Sequence, residues 1–528
     1  MADADEKRMV RNAGMLSALT MISRILGLVR EMTKAAFLGT GGLSDAFSVS
    51  FMIPNFMRRL FAENSISVAF IPTFKTYLHD GEDEKTREFL SSSLTVLLIL
   101  VGAVVAAGMA ASSWIVLAFG SDPGETAILT RIMFPYLGLV SIAALFQGML
   151  NSYGIFAPSG LAPILFNLCF ILVPMLVSRW TVNPARAMAI GVVAGGFAQA
   201  ACQLPALLRA GMRFGFISPR RAFANPGMKK VFVLIAPTIL GMAAYQINDL
   251  VSTAFASRAG VGVASSLQFS IRLQELILGI FAVSAGTVLL PELADAAKAL
   301  EWKRYSARLG QTLKTLSLVT VPVAVFSIIT CKEIVALLFM RGGFTAESVE
   351  LTASAFLWHQ TGLAFIAANR VIAPAFYARS DSKTPAFAGI GSFAVNIALV
   401  AMLAFPFKGP GIAFALSFSS AVNCAILIFA LLRKKTEGIS EALSGFGRYS
   451  GKLLAFSLTA GVPVFFLREP LLALFDFSPS RLVSLGLPFL VMTLLYAVLG
   501  LGLLVVSKDK TAAALAGHFS RRAPGEKT

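Results

Sequence analysis

Long apolar runs separated by short polar connections organise this chain. Windows of about 20 mostly apolar residues, the length a helix needs to cross a bilayer core, fall near 13–37, 45–74, 89–113, 128–150, 159–178, 187–208 and 231–257. They continue at 265–290, 311–331, 350–377, 386–406, 411–432, 451–467 and 485–507. The pattern predicts an all-α polytopic membrane protein with about 14 transmembrane helices. Polar and charged residues interrupt the first, second, seventh and eighth runs. Pro54, Pro163, Pro174, Pro237 and Pro291 lie in or at the ends of runs, where a missing N–H and a fixed φ can kink a helix.

Composition agrees. The chain has 528 residues, 56% hydrophobic and only 14% charged, with mean hydropathy +0.75, too apolar for a soluble domain of this size. The formal net charge of +17 would suggest nucleic acid in a soluble protein. Here the basic residues gather in the connections, so insertion topology explains them and no nucleic-acid partner is expected. With the N-terminus on the cytoplasmic side, that side receives Lys7, Arg8, Arg11, Lys75, Lys85 and Arg87, the 209–230 connection, and the tail from Lys508 onward. It then exceeds the opposite side by roughly three to one in Lys and Arg, which predicts both termini cytoplasmic. The outer connections are short and leave no domain for catalysis. Asp45 and Asp476 are isolated there, so an enzyme such as a glycan polymerase is disfavoured. Cys169, Cys202, Cys331 and Cys424 form no CxxC or disulfide pattern, and His79, His359 and His518 are scattered, so neither a metal nor another cofactor is expected. The charged start, MADADEKRMVRN, is unlike a cleavable signal peptide.

The two halves echo one another. FAENSISVAFIPTF ends the second run and FAVSAGTVLLPELA the eighth, giving Pro72 and Pro291 as equivalents. NSYGIFAPSGLAPILFN and FYARSDSKTPAFAGIGSFAVN likewise pair Tyr153 with Tyr377 and Asn167 with Asn396. The offsets are all about 220–230 residues, as in transporters built from two repeats around a central site. The expected organisation is an N-lobe over 1–210, a linker over 211–230, a C-lobe over 231–435, and two added helices with a basic tail over 436–528.

Arg24, Arg30, Arg58 and Arg272 lie within predicted spans. A charge near the bilayer centre costs at least ~2.5–3.5 kcal/mol and persists where it faces a polar cavity or a partner. The arginine fork also fits phosphate oxygens two at a time. Arg24 and Arg30 are six residues apart, so they flank one helix face unless Gly27 bends it; Lys34 is one turn beyond Arg30. The alternative is an interfacial stretch with snorkelling arginines, although Arg24 lies deep within its run. In the second run Pro54-Asn55 weakens the helix before Arg58-Arg59, and Glu63, four residues after Arg59, has the spacing of an ion pair. Arg272 and Glu275 are i,i+3 and could neutralise one another. Asp249 has no basic residue at helix spacing, and reads either as a proton or cation site or as a helix-end residue. Glu292 and Asp381 read as solvated cytoplasmic carboxylates.

SRILGLVRE, SDAF, IPNFMRRLFAE, IRLQEL, LLPELA, FMRGGFTAES and PAFYARSDSKTP, in this order, resemble the MurJ (MviN) family of lipid II flippases. That family lies within the multidrug/oligosaccharidyl-lipid/polysaccharide exporter superfamily, and the resemblance covers about residues 13–507. It implies fourteen helices, with two six-helix lobes in a V around a cationic cavity and two last helices lining a groove for an isoprenoid tail. It implies a bacterial inner-membrane, multi-pass protein serving peptidoglycan biosynthesis. The implied substrate is lipid II, undecaprenyl pyrophosphate bearing a disaccharide-pentapeptide. The substrate-binding set it implies is Arg24, Arg30, Arg58 and Arg272 with Ser23, Asp45, Asn55, Ser265 and Glu275. The family's sodium site maps to Asn396 and Ser417. Its seventh-helix acidic position falls at Ser252, one turn after Asp249, and its eleventh-helix acidic position at Val400, so that ligand set is incomplete here. Coupling is expected through the membrane potential or a monovalent cation at Asp249, Ser252, Asn396 and Ser417. Expected partners are lipid II, membrane lipids and proteins of cell-wall synthesis, with the chain acting as a monomer. The rival expectation is a flippase for another polyprenyl-linked oligosaccharide.

Overall fold

The computed structural model describes residues 2–59, 69–121, 123–478 and 480–514, with side chains at all of these except 2–13, 123, 236–246 and 280–288. Every regular element among them is helical. Contacts divide the chain into two compact units, Met1–Ser265 with Arg341–Thr345, and Ser266–Met340 with Ala346–Thr528.

The first unit contains α1 (Ala2–Leu38), α2 (Gly42–Arg58), α3 (Ile71–Asp80), α4 (Asp83–Ala110), α5 (Ser112–Ala118) and α6 (Pro123–Ser152). It continues with α7 (Ala157–Val177), α8 (Pro184–Ala201), α9 (Leu204–Arg209), α10 (Pro219–Ala224) and α11 (Pro226–Ala259). One core joins α6, α7 and α8 through Leu129, Met133, Phe166, Met188 and Val192. The α8 sequence supplies buried small residues at Ala185, Ala189, Gly191 and Gly195, which let neighbouring backbones approach closely. A methyl group on Gly195 would collide with the Phe166 ring. A second core stacks Tyr77 on Phe89 at 4.7 Å and Phe70 on Phe74 at 5.4 Å between ring centroids. Such pairs add about 0.5–1.5 kcal/mol beyond their burial. α11 packs with this unit, although the repeat assigns 231–257 to the second copy.

The second unit contains most of α12 (Val263–Lys298), then α13 (Trp302–Ile329), α14 (Cys331–Phe339), α15 (Ala346–Thr361) and α16 (Leu363–Tyr377). It ends with α17 (Lys383–Arg433), α18 (Ile439–Phe475) and α19 (Leu487–Val506). Tyr305, Leu309, Leu313, Leu363, Val371 and Phe376 form its main core, and the Tyr305 hydroxyl donates to the Ala375 carbonyl at 2.5 Å. α18 and α19 pack through Ala460, Val464, Met492 and Tyr496. Tyr496 donates to the Pro322 carbonyl of α13 at 3.0 Å, and Arg468 of α18 holds the buried Glu333 of α14 at 2.5 Å.

Among the described residues, α4, α6, α7, α8 with α9, α13, α17, α18 and α19 are long and apolar enough to cross a membrane. The runs 386–406 and 411–432 share the single element α17, which breaks at Lys408 (φ 48°, ψ −130°) between Pro406 and Pro410. The remaining predicted runs fall on α1, α2, α11, α12 and the α15–α16 pair, with part of 45–74 outside the described residues. So do Glu63, all of FAENSISV, and the tail residues Arg521, Arg522 and Lys527, while the Pro237 side chain is not described.

Candidate functional site

α1 carries the first cations. It runs unbroken through Gly27, so Arg24 and Arg30 leave the helix in different directions. Arg30 turns onto α7. Its Nη1 donates to Asn167 Oδ1 at 3.1 Å, its Nη2 meets Glu31 Oε1 at 2.7 Å, and its guanidinium lies 5.8 and 5.5 Å from the Phe166 and Phe170 ring centroids. Asn167 also donates through Nδ2 to the Ser23 carbonyl at 3.1 Å, so one amide fixes both the α1 backbone and the arginine. Arg24 is half-buried and has no hydrogen-bond or ion-pair partner among the described residues. One turn beyond Arg30, Lys34 is buried, donates to Ser48 Oγ at 3.0 Å and faces the Phe47 ring.

α2 brings the second group. Arg58 donates through Nε to Asn55 Oδ1 at 2.9 Å, just beyond the in-helix Pro54. Arg59 reaches across to Asp249 of α11, Nη1 to Oδ2 at 3.6 Å. Helix spacing offers Arg59 only Glu63 and offers Asp249 no cation at all. At the other end of α2, Asp45 accepts from the Gly262 and Ser265 amides at 2.5 and 2.8 Å. These are N–H groups at the start of α12, where a carboxylate complements unsatisfied donors and the positive end of the helix dipole. Asp45 and Ser265 therefore meet each other, and the buried Ser265 hydroxyl turns back to the Gly262 carbonyl at 3.3 Å. Nearby, the loop of the RGGF motif docks on the end of α1, with the Gly343 amide donating to the Ala36 carbonyl at 2.7 Å. Gly342 (φ 55°) approaches that carbonyl too closely to accommodate a side chain.

In the second unit, Arg272 pairs with Glu275 on its own helix at 2.6 Å, both side chains more than a third exposed. Asn396 and Ser417 are buried on α17, and Ser417 donates to the Trp358 carbonyl at 2.7 Å. His359, buried on α15, meets Ser270 Oγ through Nδ1 at 2.5 Å, and its carbonyl accepts from Gln274. Asp249 and Ser252 belong to α11 in the first unit.

Several of these residues escape a reading of the sequence. Asn167 serves there only as a repeat marker, although a lone amide in an apolar helix is itself a signal. Arg370, exposed on α16 inside the predicted span 350–377, is a further intramembrane arginine that periodicity should flag. The Ser270–His359–Gln274 knot has no signal beyond scattered polar residues.

These helices, with cations set inside the spans, have the architecture of a polytopic membrane transporter. A multidrug resistance MATE family transporter of the MOP superfamily, solved in an inward-facing conformation, shares the fold at TM-score 0.61 and 14% identity, over 83% of this chain and 99% of that one. A lipid II flippase MurJ solved in an inward closed conformation matches at TM-score 0.76 and 23% identity, over 94% of this chain and 99% of that one. The family model described as lipid II flippase MurJ matches residues 34–483, and the chain belongs to that family. A probable lipid II flippase MurJ of Treponema pallidum (strain Nichols) is 40% identical over 510 residues, 96% of this chain and 97% of its own length. The lipid II flippase MurJ of Burkholderia cenocepacia is 34% identical over 390 residues, 72% of this chain and 75% of its own. The protein is thus a membrane-spanning transporter of the MurJ family and not an enzyme.

Proposed function

We propose that this protein moves lipid II from the cytoplasmic to the outer leaflet, with the diphosphate held by arginines inside the spans. The observation that carries this reading is Arg24, an arginine within a predicted span on α1 that is half-buried and has no hydrogen-bond or ion-pair partner among the described residues. Arg30, Lys34, Arg58 and Arg59 lie on or next to the same two helices; Arg30 meets Glu31 and Arg59 meets Asp249, and Asp45 is committed to the backbone amides of Gly262 and Ser265. A diphosphate matches arginine in charge and accepts several N–H bonds at once. The sugar-peptide head cannot cross hydrocarbon with its polar groups unsatisfied, whereas an isoprenoid tail can remain in lipid as the head passes through the protein.

In this mechanism Arg30, oriented by Asn167, is a preset donor, and Arg24 swings to the ligand. Asp45 caps the start of α12 through the Gly262 and Ser265 amides. Both termini are cytoplasmic and the membrane is the bacterial inner membrane. An anionic head moving outward from a negative interior gains about 2.3 kcal/mol per charge per 100 mV, so the membrane potential drives the cycle. The chain works as a monomer beside the enzymes that use its product.

The test is lipid II binding and complementation for Arg24→Ala and Arg24→Lys. Loss in Ala with partial recovery in Lys is expected, because Lys keeps the charge and loses the fork. Normal binding and complementation by both variants would make Arg24 a topology residue and remove the main support for a diphosphate site. Equal binding of another polyprenyl-linked oligosaccharide would broaden the substrate class.

A further inference from the structure

The chain does not simply trail away after α19. Asp509 is almost fully buried against α18. Its carboxylate accepts from Tyr449 Oη at 3.0 Å, Lys452 Nζ at 2.8 Å, and the Thr511 and Ala512 amides at 3.1 and 3.0 Å. Four donors on one carboxylate clamp the segment after α19 onto the start of α18.

The clamp gathers cations that it does not neutralise. Lys508 and Lys510 flank Asp509, and Arg448 lies beside Tyr449 and one turn before Lys452, on the same face as that lysine. All three are exposed, and none has an ion-pair partner among the described residues. Both oxygens of the adjacent carboxylate are already committed. Directly below them, Val498, Leu501 and Val505 form an exposed apolar stripe on α19. α19 ends at Val506, and Lys508 follows in the turn three positions after Val505. An apolar stripe that ends under a group of cations matches an amphiphile with an anionic head and a hydrocarbon chain.

We propose that Arg448, Lys508 and Lys510 form a headgroup site for an anionic membrane phospholipid, whose chain lies along Val498, Leu501 and Val505 and whose cations are held together by Asp509. Clustered Lys and Arg beside a membrane helix attract such headgroups. The site is separate from the intramembrane arginines. Only its assignment to the cytoplasmic leaflet rests on the orientation proposed above; binding itself does not.

The experiment uses the purified full-length protein in neutral detergent, titrated with phosphatidylglycerol or phosphatidylcholine. Retained lipid is read by native mass spectrometry and thermal shift. Phosphatidylglycerol should bind and phosphatidylcholine should not. The triple variant Arg448→Gln, Lys508→Gln, Lys510→Gln should weaken binding by about tenfold or more. A matched triple, Arg209→Gln, Arg213→Gln, Arg220→Gln, removes the same charge from exposed positions in the first unit and should stay within about twofold of the unaltered protein, because it leaves in place the three cations that attract the headgroup. Undiminished binding by the first triple, or an equal loss in the matched triple, would overturn the proposal. So would loss of lipid II binding with phosphatidylglycerol retained, which would place these cations on the substrate's path. Should the triple fail to fold, the pair Lys508→Gln, Lys510→Gln, which touches none of the clamp's side chains, carries the same comparison.

Discussion

Arg30 in the first unit and Arg272 in the second are both arginines within predicted spans, yet they are held in different ways. Arg30 is fixed by another helix, through Asn167 and two phenylalanine rings, as well as by its neighbour Glu31. Arg272 is held by Glu275, three residues along the same helix and exposed. A local pair forms and breaks without any helix moving. A contact between helices reports, and helps to set, their arrangement. The first unit repeats the second kind of contact at Lys34–Ser48, Arg59–Asp249 and Asp45 on the α12 amides. Its charges are therefore tied to the positions of α1, α2 and α11.

Substitutions can break this contrast in order of size. The largest effect is expected for Asn167→Ala, which removes the α7 bond to the Ser23 carbonyl and leaves the part-buried Arg30 Nη1 donor without its acceptor. Leaving buried polar groups unsatisfied costs about 1–3 kcal/mol, read as a lower unfolding temperature in detergent together with weaker lipid II binding. An unchanged melt would mean that α1 is held by packing alone. Next comes Asp45→Asn, which keeps an acceptor but removes the charge facing the α12 amides. About 1 kcal/mol should be lost, and amide exchange at Gly262 and Ser265 should quicken. The Arg59–Asp249 pair should give a coupling below about 1 kcal/mol in a double-mutant cycle, since the Asp249 side chain is 56% exposed and solvent screens it. Glu275→Gln should be smallest in stability, about 0.3–0.5 kcal/mol. A larger loss would show that Arg272 depends on more than its local partner.

The second unit also carries a pair outside the membrane that responds to acid. The Lys434 ammonium bonds to Asp381 at 2.6 Å, the Thr384 amide donates to the same carboxylate, and its pKa falls from 3.8 to about 2. A depressed carboxylate pKa adds stability that is present at neutral pH and lost as pH falls from the unfolded value through the folded one. Asp381→Asn should therefore melt below the unaltered protein at pH 7, with the gap closing between pH 3.8 and about 2. A gap that persists at the acid end would assign the effect to the Thr384 hydrogen bonds, because an asparagine oxygen accepts those less strongly.

The same contrast explains what can be read from the chain. Apolar periodicity locates the helices, because each span must satisfy its own backbone in lipid. Helix spacing finds Arg272 with Glu275, because i,i+3 neighbours meet whatever the tertiary structure. It cannot pair Arg30 with Asn167, 137 positions apart, or Arg59 with Asp249. Nor can it show that Asp45 and Ser265, both named as substrate ligands, face one another. Asp381 reads as a solvated carboxylate, yet it is bonded to Lys434 from the far end of α17. Each of these depends on which helices are neighbours, and that information is spread over the whole core.

The break at Lys408 has a consequence for how the chain is made. Two predicted spans meet there with only Pro406 to Pro410 between them, as two helices on either side of a kink at Lys408. No slack remains for one span to settle in the bilayer while its partner waits outside. Two spans joined this closely are expected to enter together, carrying Lys408 across as a single charge at the turn. Lengthening that turn with a flexible insert should leave the finished packing intact yet uncouple the two insertion events, so biogenesis, more than transport, would register the change.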